Sequence, residues 1–369
     1  MSQEKPEKVL HCITTLDVGG AEKYLIKSLS KEEGDHQVVV LKGNLSLKNE
    51  LTKINITLHC LEMNDLKGCL LAPFKFRHIL KTFAPNRLIG WMYHGALFTI
   101  LARFMGFSIP RFWMIRNTGL EKSYTRPLTR VLVKILTPFT QSTSLIVFNS
   151  TTSKNAHEEL GWKGPFSIET NSFDTHRFQI KNKDWILKKR ADLGLEPDQP
   201  VIGWVARHHP QKGPDEFLSL AFQLKNQLPN VQFITLGKGL SKTNPKWKTS
   251  LKQAGILDHT IAIDAVSDLE NWYPLMDVMV LTSKDESFPN VLGEAQACGV
   301  NCVSFEVGDA HVLIHDSQNL IPNGHVQKML HRVKELLSLE SNDRTLSGHR
   351  ARAHIKANHA DSKEAPHID

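Results

Sequence analysis

Residues 285–300 read DESFPNVLGEAQACGV, and two of them, Glu286 and Glu294, stand eight positions apart with no basic residue between them. SFPN is a set of poor helix formers, and the apolar run behind it reads as a helix. A helix start offers unpaired N–H groups and the positive end of the dipole, which suits an anion. If that anion is a phosphate, the flanking carboxylates can accept hydrogen bonds from hydroxyls of the same ligand.

Outward from this stretch, strand-like and helix-like segments alternate. Upstream lie VIGWVAR, the helical DEFLSLAFQLKNQL, VQFITLGKG, TIAIDAV and MDVMVLTS, and downstream lies NCVSFEVGD. The first half shows the same rhythm, with KVLHCITTL, a glycine turn, a helix carrying Tyr24, Leu25 and Leu29, and then HQVVVLKG, ITLHCLE, RLIGWMYH, RFWMIRNT and SLIVFNS. Such alternation predicts parallel sheets with helices on both faces. The fold class is therefore α/β, two successive doubly wound halves, with the polar segment 181–200 read as their junction. Open parallel sheets bind ligands at the carboxyl ends of their strands, so two facing sheets would set a cleft between the domains. A last helical region, about 325–357, carries Val326, Met329, Leu330, Val333, Leu336 and Leu337 as a core-facing stripe.

Bulk properties narrow the class. A chain of 369 residues exceeds what one core usually carries, so two domains are expected. No run approaches the roughly 18 to 20 apolar residues of a spanning helix, and the charged N-terminus lacks a signal-peptide core. Five cysteines form neither a disulfide framework nor a zinc pattern, which fits a reducing cytoplasm and buried free thiols at Cys298 and Cys302. The net charge of +7 is unevenly spread, and residues 66–134 hold twelve basic residues against one acid, Glu121. An anionic surface or phosphate-rich partner selects such one-sidedness, while a solvated basic face is the plainer account.

Two further motifs fall in loops after strands. VGGAE, with Gly19 and Gly20, opens a helix and lets backbone approach a ligand, although a plain tight turn reads the same way. In GWVARHHPQKG an arginine fork at Arg207 and a point charge at Lys212 would clamp a diphosphate, and a solvent-facing basic loop is the alternative. His208 and His209 read as loop residues. No D-x-D pair ends a strand, so no metal is expected.

Taken in order, these pieces together with IGWMYHGAL, WMIRNT, VFNSTTSKNAHEELGW and NSFDTHRF resemble the glycosyltransferase family 4 enzymes, over nearly the whole chain. The likeness is nearest to members that build bacterial surface polysaccharide and lipopolysaccharide. It implies the GT-B fold, an acceptor-binding Rossmann-like domain over 1–180, a donor-binding one over 181–354, and a terminal helix at about 355–369 packing back on the first. It also implies a retaining enzyme with a nucleoside-diphosphate-sugar donor as co-substrate and no cofactor. Arg207 and Lys212 match the residues that grip the diphosphate, Glu286 the one near the transferred sugar, and Glu294 the one on the ribose. Asn290, Val291 and Leu292 would offer amides to the phosphates, and Gly19 and Gly20 match a loop that closes over the donor. His94, with Arg116 and Asn117, falls where the first domain would reach sugar or acceptor, and His94 reads equally as a core histidine. Ser172, Ala265 and Asn301 depart from the family's usual residues.

The implied acceptor is a lipid-linked saccharide or lipopolysaccharide core at the inner membrane face, which predicts a cytoplasmic, peripherally bound protein. Arg126, Arg130 and Lys134 fall on one face of RPLTRVLVKIL, with Val131, Leu132, Ile135 and Leu136 beside them as apolar surface, and would contact anionic lipid. Two rivals are a nucleotide-sugar epimerase on the same architecture and a nucleic-acid-binding protein. Against the second, Phe74, Phe76, Trp91, Tyr93 and Trp113 sit in apolar contexts where core packing explains them better than base stacking.

Overall fold

A strand that is apolar on both faces needs a sheet covered on both sides. β1 (Lys8–Ile13) is such a strand, with five of its six residues buried. The computed structural model describes residues 7–17, 19–118 and 125–361. In it β1 is joined by β2 (Asp35–Val40), β3 (Thr57–Cys60), β4 (Arg87–Trp91), β5 (Arg111–Ile115), β6 (Leu145–Phe148) and β7 (Phe166–Ile168). Their order is β3-β2-β1-β4-β5-β6-β7, parallel throughout. β8 (Val201–Val205), β9 (Gln232–Leu236), β10 (Thr260–Ile263), β11 (Val278–Leu281), β12 (Asn301–Phe305) and β13 (Leu320–Ile321) make a second parallel sheet, ordered β10-β9-β8-β11-β12-β13. These are two Rossmann-like sheets of the GT-B class. Each reverses its strand order once, between β1 and β4 and between β8 and β11. The loops leaving those strands diverge there and open a crevice.

The chain divides after Asn171, with Ser172–Asp361 as one compact unit and the described residues before it as the other. The second unit has one continuous core, built around Trp204, which stacks on Phe217 with centroids 4.8 Å apart and on Trp247 at 5.5 Å. The expected boundary at 180/181 lies a little further along. Up to Asp361 the chain lies in the second unit, whose last helix, Ser341–Asn358, has Gly348 against the backbone of Gly299. The terminal helix expected to return to the first unit includes residues 362–369, which are outside the described ones.

Several local expectations change. RLIGWMYH is not all strand: β4 ends at Trp91 and Met92 starts the helix Met92–Phe104, so His94 is helical. The junction segment contains a helix, Lys183–Asp192, whose start is capped by the Asn182 side chain accepting from the Trp185 amide. Its polarity is misleading because Arg190 is buried, pairing with Asp277 at 2.9 Å and donating to the Leu275 carbonyl. RPLTRVLVKIL does form a helix, Pro127–Leu136, but Leu132 and Leu136 belong to the core. Its solvent-facing apolar residues are Leu128, Val131 and Ile135, alongside exposed Arg126 and Lys134. The helix Leu66–Phe83 presents a second exposed row, Leu66, Leu70, Leu71 and Phe74. Phe76, Trp91, Tyr93 and Trp113 are buried, so none of the four can stack on a base without unfolding. Cys298 and Cys302 are buried thiols, and burial pushes Cys298 up to about 12.

Candidate functional site

In the second unit the crevice lies between the loops after β8 and β11. β8 delivers Ala206 and Arg207, and one short turn, Pro210–Lys212, leads through Gly213 into the helix Pro214–Gln227. Gly213 is left-handed, with φ +65°, and a Cβ there would sit 1.9 Å from the Thr282 carbonyl oxygen, so only glycine fits. Thr282, the first residue after β11, donates its hydroxyl to the Gly213 carbonyl at 2.8 Å and accepts from Trp204 Nε1 at 3.0 Å. The two loops are thereby pinned to each other beside the core.

That registration brings Lys212 onto Glu286, whose Oε1 accepts from Nζ in an ion pair with both side chains largely buried, 19% and 12% exposed. No basic residue lies between Glu286 and Glu294 in sequence, and the fold supplies Glu286 with Lys212, 74 residues earlier. Arg207 is exposed, and its Nη2 lies 3.5 Å from Gln211 Oε1. Glu286 is backed by Gly308, whose φ of +52° and contact with the Glu286 and Ser287 carbonyls leave no room for a side chain.

The helix Asn290–Ala297 starts after Pro289 with no side-chain cap and no acid in its first turn. Its first residues, Asn290, Val291 and Leu292, follow the loop after β11 that carries Glu286, and the Leu292 amide meets the Pro289 carbonyl at 3.0 Å. Glu294, one turn on, accepts the Tyr273 hydroxyl at Oε2, 2.7 Å away. Burial, with the Glu294 charge next in size, holds the Tyr273 phenol well above its ordinary range, so it stays a donor. The second unit accordingly pairs Lys212 with Glu286 in space, while the helix start and Glu294 follow four and eight residues after Glu286 and Arg207 is exposed on the loop after β8.

The first unit holds the remaining expected residues. Gly19 and Gly20 begin the helix Gly20–Leu29 at the carboxyl edge of β1, and Glu22 folds back there, accepting from its own amide and from Thr15 Oγ1 at 3.2 Å. Burial raises the Glu22 carboxyl above its ordinary value. His94 is half-buried in the first turn after β4, and burial, then the charge of Lys42, lowers its imidazole.

One cluster has metal-like spacing among the described residues: His11, Glu32 and His36, with ligand atoms within 4.8 Å of one another. The hydrogen bonds argue against a metal there. Trp91 Nε1 donates to His11 Nδ1 at 3.1 Å, so neutral His11 carries its proton on Nε2 and gives it to His36 Nδ1, also 3.1 Å away. His36 then donates Nε2 to the Glu33 carbonyl at 3.2 Å. The lone pairs a metal would need are already used.

Sequence reasoning missed Tyr273, Thr282 and Gly308, which carry no motif of their own. A buried tyrosine needs a partner for its hydroxyl, which was the available signal for Tyr273. It also missed Tyr24 and Glu169, which meet beside Arg116: the Tyr24 hydroxyl donates to Glu169 Oε1, and the Arg116 guanidinium lies 3.3 Å over the Tyr24 ring.

Residues 186–354 match the sequence model of the family described as glycosyl transferases group 1. The chain is 32% identical over 131 residues to a D-inositol 3-phosphate glycosyltransferase of Segniliparus rotundus, covering 34% of this chain and 29% of that protein. It spans less than half the length of such curated relatives. Among solved structures, the Anabaena protein HepE in complex with UDP and glucose superposes with a TM-score of 0.82 at 20% identity, covering 96% of each chain. WaaG, a glycosyltransferase involved in lipopolysaccharide biosynthesis, gives 0.73 at 14%, covering 95% of each. At such identities these two likenesses speak to the fold.

Proposed function

We propose that the chain is a retaining glycosyltransferase of family 4 that moves a hexosyl group from a nucleoside-diphosphate sugar to a lipid-linked saccharide or lipopolysaccharide-type acceptor. The observation that carries this reading is the pairing of Lys212 with Glu286 on the loops of the switch point, followed along the chain by a helix start without a side-chain cap and by Glu294, in the unit that contains the matched segment. The diphosphate takes Lys212 away from Glu286 and adds Arg207 and the amides of Asn290–Leu292. Glu286 then turns to the sugar, and Glu294, oriented by Tyr273, accepts from the ribose hydroxyls. The bond from the anomeric carbon to the phosphate oxygen breaks as the acceptor oxygen approaches the same face. The acceptor proton passes to the departing diphosphate, so no protein base is required. Stabilisation of that leaving group by fixed charges and dipoles is the main catalytic contribution, several kcal/mol in order of magnitude. The same positive field does the work of a divalent ion, and the reaction needs no metal. His94 and the carboxyl edge of the first sheet face the acceptor.

Peripheral attachment to an anionic membrane is part of the same reading. Its support is that the exposed apolar residues Leu66, Leu70, Phe74, Phe104, Leu128 and Val131 fall in the segment with twelve basic residues and one acid, and exposed Ile135 follows it directly. Each basic residue near an anionic leaflet contributes about 1 kcal/mol. No helix among the described residues is long and apolar enough to cross a membrane. The test is two-part. UDP should raise the unfolding midpoint, since a ligand of the folded state stabilises it, and a UDP-sugar with an acceptor extract should give a product whose anomeric configuration matches the donor. An epimer formed without acceptor would favour the epimerase instead. Vesicles of anionic lipid should bind the protein in low salt and release it in high salt, and the triple replacement of Arg126, Arg130 and Lys134 by glutamate should abolish that binding while UDP binding persists. Indifference of the wild type to such vesicles at low salt would return the acceptor to solution.

A further inference from the structure

Arg116, the first residue after β5, is held in an unusual way. Its guanidinium stacks on the Tyr24 ring with the cationic carbon 3.3 Å from the centroid, and Nη2 donates to the Asn171 side chain. Nη1, shut away from water, has no hydrogen-bond partner. No carboxylate among the described residues pairs with this cation, and burial lowers its pKa to about 9. The neighbouring carboxyl, Glu169, accepts from Tyr24 and is itself raised by burial to about 7, so it is a poor counter-ion. Leaving a buried charged donor without an acceptor costs on the order of 1–3 kcal/mol or more. Folded proteins rarely tolerate that unless a ligand supplies what is missing. Arg116 also stands at the carboxyl edge of the first sheet, where an open α/β sheet takes its ligand, and the residue as a whole is half-buried.

We propose that Arg116, braced by Tyr24 and Asn171, is an oxyanion-binding residue that selects acceptors carrying a phosphate or carboxylate on the sugar. The proposal rests on the glycosyltransferase reading only for the word acceptor, since the site lies wholly within the first unit. A planar fork with one bonded and one unfilled amine suits a bidentate oxyanion, and the aromatic ring under it keeps the fork in one plane.

The test is calorimetric titration of the full-length protein with the donor site first saturated by UDP, so that phosphate cannot bind there. Glucose 1-phosphate and glucuronate separate the two oxyanions, and glucose is the neutral control. The expected result is that at least one anionic probe binds ten-fold or more tighter than glucose, that Arg116→Met removes the difference, and that Arg116→Lys, which keeps the charge but loses the fork, retains part of it. UDP affinity should be the same in all three proteins, and an unfolding profile matching the wild type certifies the fold of the first unit, which carries Arg116. Equal binding of charged and neutral probes by the wild type, or a preference that survives in Arg116→Met, overturns the proposal. Failure of UDP to bind at all would instead count against the donor site and leaves the Arg116 comparison to be read with the probes alone.

Discussion

Lys212→Ala is the sharpest perturbation of the candidate site, because in the free protein its ammonium already has a partner. The Lys212–Glu286 pair is 19% and 12% exposed, between a surface pair, which contributes about 0–1 kcal/mol, and a fully buried one, whose breaking costs about 3–5. The expected cost to the fold is thus about 2 kcal/mol, or roughly 4–8 °C in midpoint for a unit of this size. Glu286→Ala should cost a similar amount. The double variant should recover most of the loss, because neither charge is then left behind in the crevice. Ligand binding should divide differently. Lys212→Ala should weaken UDP by about 2–5 kcal/mol, which is some 30-fold to several thousand-fold. Glu286→Ala should bind free UDP at least as tightly as the wild type, since the lysine no longer has a competing partner, yet lose turnover. Calorimetry with UDP and thermal unfolding of the four proteins read both cycles. Wild-type UDP affinity in Lys212→Ala would refute the assignment, and equal loss of UDP binding in both single variants would reduce the pair to a structural bridge.

Tyr273→Phe removes the hydroxyl that orients Glu294, so UDP affinity should fall about ten-fold or more while pyrophosphate affinity stays constant, a hydrogen bond to a charged acceptor being worth about 1.5–3 kcal/mol. Transfer activity should persist in excess EDTA; loss that only a divalent ion restores would place a metal on the diphosphate. Glu169 is raised to about 7 from an ordinary 4.5, so the folded state holds its proton more tightly than the unfolded chain does. Its contribution is complete below about pH 4.5 and fades as pH rises to about 7, by at most about 1.4 kcal/mol per pH unit. Glu169→Gln should flatten that part of the stability profile, and an unchanged slope in urea titrations across this window would show that the carboxyl titrates elsewhere.

The candidate site of the second unit could be read from sequence because its residues are local. Glu286, the helix start and Glu294 lie within nine residues, and Arg207 with Lys212 within six, so spacing alone sets them on neighbouring loops. Helix and strand alternation likewise revealed both sheets, since buried parallel strands leave continuous apolar runs. Where reading failed, the cause was tertiary. The helix Lys183–Asp192 looks like a linker because its burial depends on Asp277 and the Leu275 carbonyl receiving Arg190. Leu132 and Leu136 looked like free surface because periodicity gives a stripe but not which edge of it the core covers.

The first unit hid its chemistry for a related reason. Tyr24, Arg116, Glu169 and Asn171 come from loops and helices that only the strand order β1-β4-β5-β6-β7 brings to one edge, so no window of sequence contains the constellation. The contrast has a physical consequence. In the second unit Gly213 against the Thr282 carbonyl fixes the turn that carries Lys212, so the proposed diphosphate end is held by the fold itself. In the first, Arg116 is held by side chains alone, a ring beneath it and an amide beside it, each replaceable without disturbing a strand. A common donor and a changeable acceptor require that division: rigidity where the ligand is shared, and side-chain support where specificity must vary.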